Sequence, residues 1–141
     1  MQDRVILDSS VIAAIFFKED SSEKAEMAAE NYKLITVDLA IAEVANVAWK
    51  RVMFFDESKE IALKALRRGI DFITSVCEVI STQKLLEDAF EIAIADKTTI
   101  YDSFFIAASE REKVPLLTTD GKLYEKVKSK RNLKLIYGRV K

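Results

Sequence analysis

Histidine is absent from the 141-residue chain, and that one lack closes several chemistries. Without imidazole there is no Ser-His-Asp or Cys-His centre, no histidine pair for acid–base cleavage of RNA, and no ordinary zinc site built on His and Cys. Catalysis must come from carboxylates, hydroxyls, lysines or a metal held by oxygen. Cysteine occurs once, Cys77 in the apolar stretch VCEVI, which points to a buried thiol with no disulfide. Proline occurs once, at Pro115, and glycine only at Gly69, Gly121 and Gly138, so no flexible linker divides the chain and one domain spanning 1–141 is expected. No apolar run reaches the roughly 18 residues a membrane span requires. The start MQDRVILD passes straight from polar residues into a short apolar strand, unlike a signal peptide. These absences predict a soluble, cytoplasmic protein with no membrane partner. Net charge is also lacking, with 22 basic residues against 23 acidic. Between Lys122 and Lys141, however, eight Lys or Arg residues face the single acid Glu125. A solvated helix and edge strand are the favoured reading of that tail, ahead of a phosphate-binding face.

What is present is an alternation of short apolar runs and amphipathic segments. Arg4 to Leu7, Leu34 to Val37, Val76 to Ile80, Pro115 to Thr118 and Leu133 to Tyr137 suit strands buried on both faces. Helical patterns cover Ser10 to Phe17, Ser22 to Tyr32, Leu39 to Phe54, Glu57 to Ile73, Gln83 to Ala95, Tyr101 to Glu112 and Gly121 to Lys130. The alternation predicts an α/β fold, a parallel sheet with helices on both faces. A helical hairpin is predicted around Val52 to Asp56, as the one place where two helices follow each other without a strand.

Four acids fall at one edge of that fold. Asp8 ends the first strand, and Asp120 ends the fourth. Glu43 lies in the second turn of the helix after the second strand, and Asp102 in the first turn of the helix before the fourth. Helix amino ends and strand carboxyl ends share one edge of a parallel sheet, where ligands normally bind. Helix dipoles ease such an accumulation of negative charge without cancelling it, and a hard divalent cation would complete the compensation.

Simpler roles compete for each acid. Asp8 and Asp120 precede helices and could be N-caps, worth about 1 kcal/mol each. Asp102 could be a first-turn acid favoured by the dipole. Glu43 is hardest to explain without a metal, because Leu39, Ala40, Asn46 and Val47 surround it on a mostly apolar helix face. Asp38 is read as a plain N-cap without a share in the chemistry. Ser10 and Thr118 sit two residues from Asp8 and Asp120, as turn residues or as holders of a coordinating water.

The run DSSV near the start, an isolated Glu in an early helix, YDSxxxAAS and LLTTDGKL, in that order over nearly the whole chain, resemble a PIN domain of the VapC toxin type. The resemblance implies a three-layer α/β/α fold with about five parallel strands, and an endoribonuclease dependent on Mg²⁺ or Mn²⁺. It matches Asp8, Glu43, Asp102 and Asp120 to the catalytic, metal-binding quartet, and Ser10 and Thr118 to the accompanying hydroxyls. One or two ions would then support hydrolysis that leaves 5′-phosphate and 3′-hydroxyl ends, with Asp8 and Asp120 as direct ligands. It further implies a homodimer and a VapB-type antitoxin, met by the bulky segment Trp49, Val52, Met53, Phe54 and Phe55. The alternatives are a PIN nuclease of RNA processing or quality control and a PIN-like module that binds RNA or protein without cutting. A signalling receiver fails, since the third strand ends in Ile80-Ser81 with no Asp to accept phosphate.

Overall fold

Each of the five predicted apolar runs forms a strand in the structure, a computed structural model that describes residues 3–140. The strands are β1 (Arg4–Leu7), β2 (Lys33–Val37), β3 (Glu78–Ile80), β4 (Leu116–Thr118) and β5 (Leu133–Leu135). All neighbours pair in parallel, in the order β3-β2-β1-β4-β5. The helices are α1 (Ser9–Phe16), α2 (Ser22–Asn31), α3 (Leu39–Phe54), α4 (Lys59–Ser75), α5 (Thr82–Asp96), α6 (Ile100–Glu112) and α7 (Gly121–Val127). No helix among the described residues is long and apolar enough to cross a membrane.

The connections fix the layers. From β1 the chain steps outward to β2 and β3, then crosses back to β4 and on to β5. Right-handed crossovers in opposite directions put α1 to α4 on one face and α5 to α7 on the other. This is the expected three-layer arrangement. The chain reverses direction between β1 and β4, and at such a switch point the adjoining loops part to leave a crevice. Asp8 and Asp120 follow those two strands.

Burial follows position in the sheet. Val5, Ile6 and Leu7 of β1 and Leu116 and Leu117 of β4 are buried, as are Leu34, Ile35 and Val37 of β2. β3 and β5 depart from the prediction of strands covered on both faces. Each is a three-residue edge strand, with Glu78 and Val79 exposed in β3 and only half-buried leucines in β5. An edge strand has a neighbour on one side only, so fewer helices cover it.

Helices follow one another without a strand at three places, α1–α2, α3–α4 and α5–α6, where the sequence reading recognised only the second. Gly69 of α4 packs beside Val44 of α3 and Phe16 of α1, where a methyl group would make ordinary contacts at 3.4 Å and 3.6 Å. Elsewhere the shortage of glycine shows in the backbone. The left-handed residues Asp56, Lys97 and Lys113 carry side chains where glycine is the easy choice.

Candidate active site

Asp8 is held in place by the helix it starts. It is the N-cap of α1, its Oδ1 accepting from the Val11 amide at 3.2 Å and from the Ser10 hydroxyl at 2.5 Å. Asp120 caps α7 in the same way, accepting from the Leu123 amide at 3.1 Å. Both residues therefore carry the N-cap role that their position before a helix suggested. Ser10 links the two sites, since its oxygen also accepts from the Thr119 amide at 3.0 Å and lies 3.5 Å from the Thr118 hydroxyl. The Thr118 oxygen accepts from the Asp120 amide at 3.1 Å. Both hydroxyls singled out in the sequence thus brace the acids through the switch point.

Glu43 and Asp102 approach from the two helical layers. Glu43, on α3, accepts a 2.6 Å hydrogen bond from the hydroxyl of Ser9, a residue the sequence reading passed over. Asp102, in the first turn of α6, has its amide capped by the Thr99 hydroxyl at 3.1 Å. All four acids line one cleft, together with Ser9, Ser10, Asn46, Val47, Lys50 and Phe105. Asn46 and Lys50 were also unassigned. They were legible in principle, because positions three and seven beyond Glu43 share its helix face.

The electrostatics rank the acids differently from the sequence. Asp8 is 7% exposed, and burial pushes its carboxyl up to about 6, against the opposing hydrogen bonds of Ser10, Thr118 and the Val11 amide. Repulsion from Asp102 adds to the rise. Glu43 is raised by partial burial and by Asp102, with the Ser9 hydroxyl opposing. Asp102 is raised by burial and by Asp120, with Thr99 and Lys126 opposing. The residue least explicable without a counter-charge is therefore Asp8 and not Glu43, whose longer side chain leaves the apolar face of α3 for the cleft. Asp38 departs from its predicted role as well. Its side chain does not cap α3 but accepts from the Thr82 amide, at 2.9 Å, at the start of α5.

A hard cation suits these residues. The acids and serines lining the cleft offer oxygen donors, and no Cys or His lines it, which suits Mg²⁺ or Mn²⁺ ahead of a thiolate- or imidazole-seeking metal. Among the described residues no three acids already stand close enough to enclose an ion. Each of Asp8, Glu43 and Asp120 turns an oxygen to a local hydrogen bond.

Comparison with known proteins gives concordant matches. The model for the family described as PIN domain matches residues 5–129. Ribonuclease VapC3 of Pyrobaculum aerophilum is 36% identical over 124 residues, covering 87% of this chain and 94% of that protein. Among solved structures, a toxin-antitoxin complex from Klebsiella pneumoniae aligns with a TM-score of 0.70 at 13% identity, over 95% of this chain and 98% of that one. Mycobacterium tuberculosis VapC20, described as a sarcin-ricin loop cleaving toxin, aligns with a TM-score of 0.69 at 15% identity, over 90% and 95%.

Proposed function

Because the chain belongs to the PIN domain family, among its VapC members, we propose that it is a divalent-metal-dependent endoribonuclease, the toxin of a VapBC-type pair. The observation that carries this reading is a cleft of four acids in which the most buried, Asp8, has no cationic partner among the described residues and is pushed up to about 6. A carboxylate is kept in such a place where its charge has work to do. Asp8 and Asp120, following adjacent strands, would hold the ion directly. Glu43 and Asp102, from the two helical layers, would hold a second ion or orient the attacking water. The bound ion supplies Lewis acidity and neutralises charge on the phosphate. Ser10 and Ser9 keep the Asp8 and Glu43 carboxylates from swinging away, and Thr118 fixes the Asp120 backbone. Lys50 is exposed at the cleft, without an ion pair among the described residues, and can meet a phosphate oxygen.

The partners follow from a second region. Trp49, Met53, Phe54 and Phe55 are 51%, 59%, 66% and 69% exposed at the α3–α4 tip. Such a patch supports a protein-covered surface, which in this reading is taken by a homodimer partner and an antitoxin. A strict monomer by sedimentation at micromolar concentration would count against the dimer.

The deciding experiment incubates purified protein with total RNA in Mn²⁺ or in EDTA and maps the ends produced. Discrete Mn²⁺-dependent cuts with 5′-phosphates are expected. Equal cutting in EDTA, or full Mn²⁺-dependent cutting by Asp8→Asn, refutes the assignment.

A further inference from the structure

Next to the acidic cleft lies a second hollow that shares Asp120 with it. Its walls are Thr119, Gly121, Lys122, Glu125, Leu135 and Tyr137. The strand register explains the juxtaposition. Thr118 is opposite Leu135, and the Ile136 amide donates to the Thr118 carbonyl at 2.8 Å, so two residues further on Tyr137 comes level with Asp120.

The Tyr137 ring is exposed on a backbone that is tied down. Its carbonyl accepts from Lys24 Nζ at 2.6 Å, and the next amide, Gly138, donates to the Ser21 hydroxyl at 3.2 Å. The residue itself remains 68% exposed, with no ring partner among the described residues. Gly121 contributes no side chain, and the space above it is open.

Charge completes the picture. Of the basic residues from 122 to 139, Lys126 donates to the Lys97 carbonyl, Lys128 pairs with Glu125, Arg131 with Asp96 and Glu110, Arg139 with Asp20, and Lys134 lies over the Tyr32 ring. Helix α7 and edge strand β5 occupy this segment, and most of its basic side chains are engaged within the protein. Lys130 lies near enough to Asp96 to help lower its carboxyl, whereas Lys122 has no partner among the described residues and stands beside Tyr137 in the hollow.

We propose that the hollow formed by Gly121, Lys122, Leu135 and Tyr137 binds the nucleotide next to the scissile phosphate, its base stacked on Tyr137 and its phosphate met by Lys122. The assignment rests on the ribonuclease reading above and adds a base-binding subsite to it. Single-stranded RNA is recognised by bases stacked on aromatic rings, with basic side chains following the backbone. A ring on an anchored backbone beside an unpaired lysine, two residues on from Asp120, offers both contacts to a strand laid across that acid.

The test is binding, kept separate from cleavage. Fluorescein-labelled rA12 and a dodecamer of abasic ribose phosphates are titrated by anisotropy in Ca²⁺, with gels confirming that neither is cut. Tyr137→Ala is expected to weaken rA12 about tenfold and to leave the abasic probe unchanged, while Tyr137→Trp retains rA12 binding. Lys122→Ala should weaken both probes and flatten the salt dependence. Equal affinity of Tyr137→Ala and parent for rA12 overturns the proposal and leaves the hollow to a protein partner. Equal loss on both probes, or a parent that binds neither, overturns it too. A parent without Mn²⁺-dependent cleavage whose rA12 binding still depends on Tyr137 would sink the nuclease reading and leave the subsite standing.

Discussion

Asp8 and Asp96 are buried to the same degree, each 7% exposed, and the molecule treats them in opposite ways. Asp96 accepts from Arg131 Nε at 2.8 Å and from Nη2 at 3.0 Å, and Glu110 receives the other guanidinium edge. Arg131 accordingly holds the Asp96 carboxyl below the ordinary carboxylate range. Asp8 is given hydroxyls and an amide but no cation, and its carboxyl rises to about 6. A buried acid with its counter-charge built in belongs to the scaffold. One without it is, in the proposed reading, where a cation from solution would bind.

Removing the charge of Asp8 and the counter-charge of Asp96 should separate the two acids most widely in activity. Asp8→Asn keeps the cap on Val11, since an amide oxygen can accept that bond, and loses only the charge. Mn²⁺-dependent RNA cleavage should fall about 10³-fold, roughly 4 kcal/mol of barrier. The matching change at the other site, Arg131→Ala, should leave cleavage within about twofold. It strands a buried carboxylate instead, and chemical denaturation should show a stability loss of about 3 kcal/mol. If Arg131→Ala proved as inactive as Asp8→Asn while fully folded, the division into scaffold and site would be wrong.

Why the sequence displays one of these acids and hides the other is itself physical. Asp8 follows an apolar strand and precedes a helix, and local pattern places such a residue on the carboxyl edge. Asp96 is defined by Arg131, 35 residues away, and no local pattern encodes that meeting. The same distinction covers the other departures. Helix α3 was legible to the residue because its 3.6-residue period is long and unbroken. The edge strands β3 and β5 came out shorter than their apolar runs, because pairing and not composition ends a strand. Asp38 has the sequence of an N-cap, yet the amide it meets belongs to another helix, 44 residues on. Ser9 reaches Glu43 only because α1 and α3 pack side by side.

The comparison sharpens with pH. A group whose folded carboxyl lies above its unfolded value contributes stability that is present in acid and lost as pH rises through the folded value. Asp8, raised from 3.8 to about 6, should therefore make the metal-free protein more stable at pH 5 than at pH 8, by on the order of 1 kcal/mol. Glu43 and Asp102 are raised as well and act in the same direction. Asp96 has the opposite sign, and its contribution is lost only as pH falls below the ordinary carboxylate range. Denaturant melts across this window should show the slope in the parent, a smaller one in Asp8→Asn, and little at saturating Mn²⁺. A parent curve that is flat or rises with pH would contradict the assigned burial of an uncompensated charge.

The smallest effect belongs to a third acid at the same sheet edge. Asp38 is only half-buried and holds a single amide, that of Thr82 at 2.9 Å. Asp38→Ala removes that bond and a charge near the start of α3, which should lower stability by about 1 kcal/mol. The backbone bond from the Asp38 amide to the Ile80 carbonyl, 3.1 Å, keeps the edge in register. Since the carboxylate does not line the acidic cleft, cleavage and Mn²⁺ affinity should be unchanged. A clear loss of Mn²⁺ affinity in Asp38→Ala would show that charge at this edge matters by proximity alone. The contrast would then lie between a diffuse negative field and a paired scaffold acid, with Asp8 no longer distinguished by where its carboxylate points.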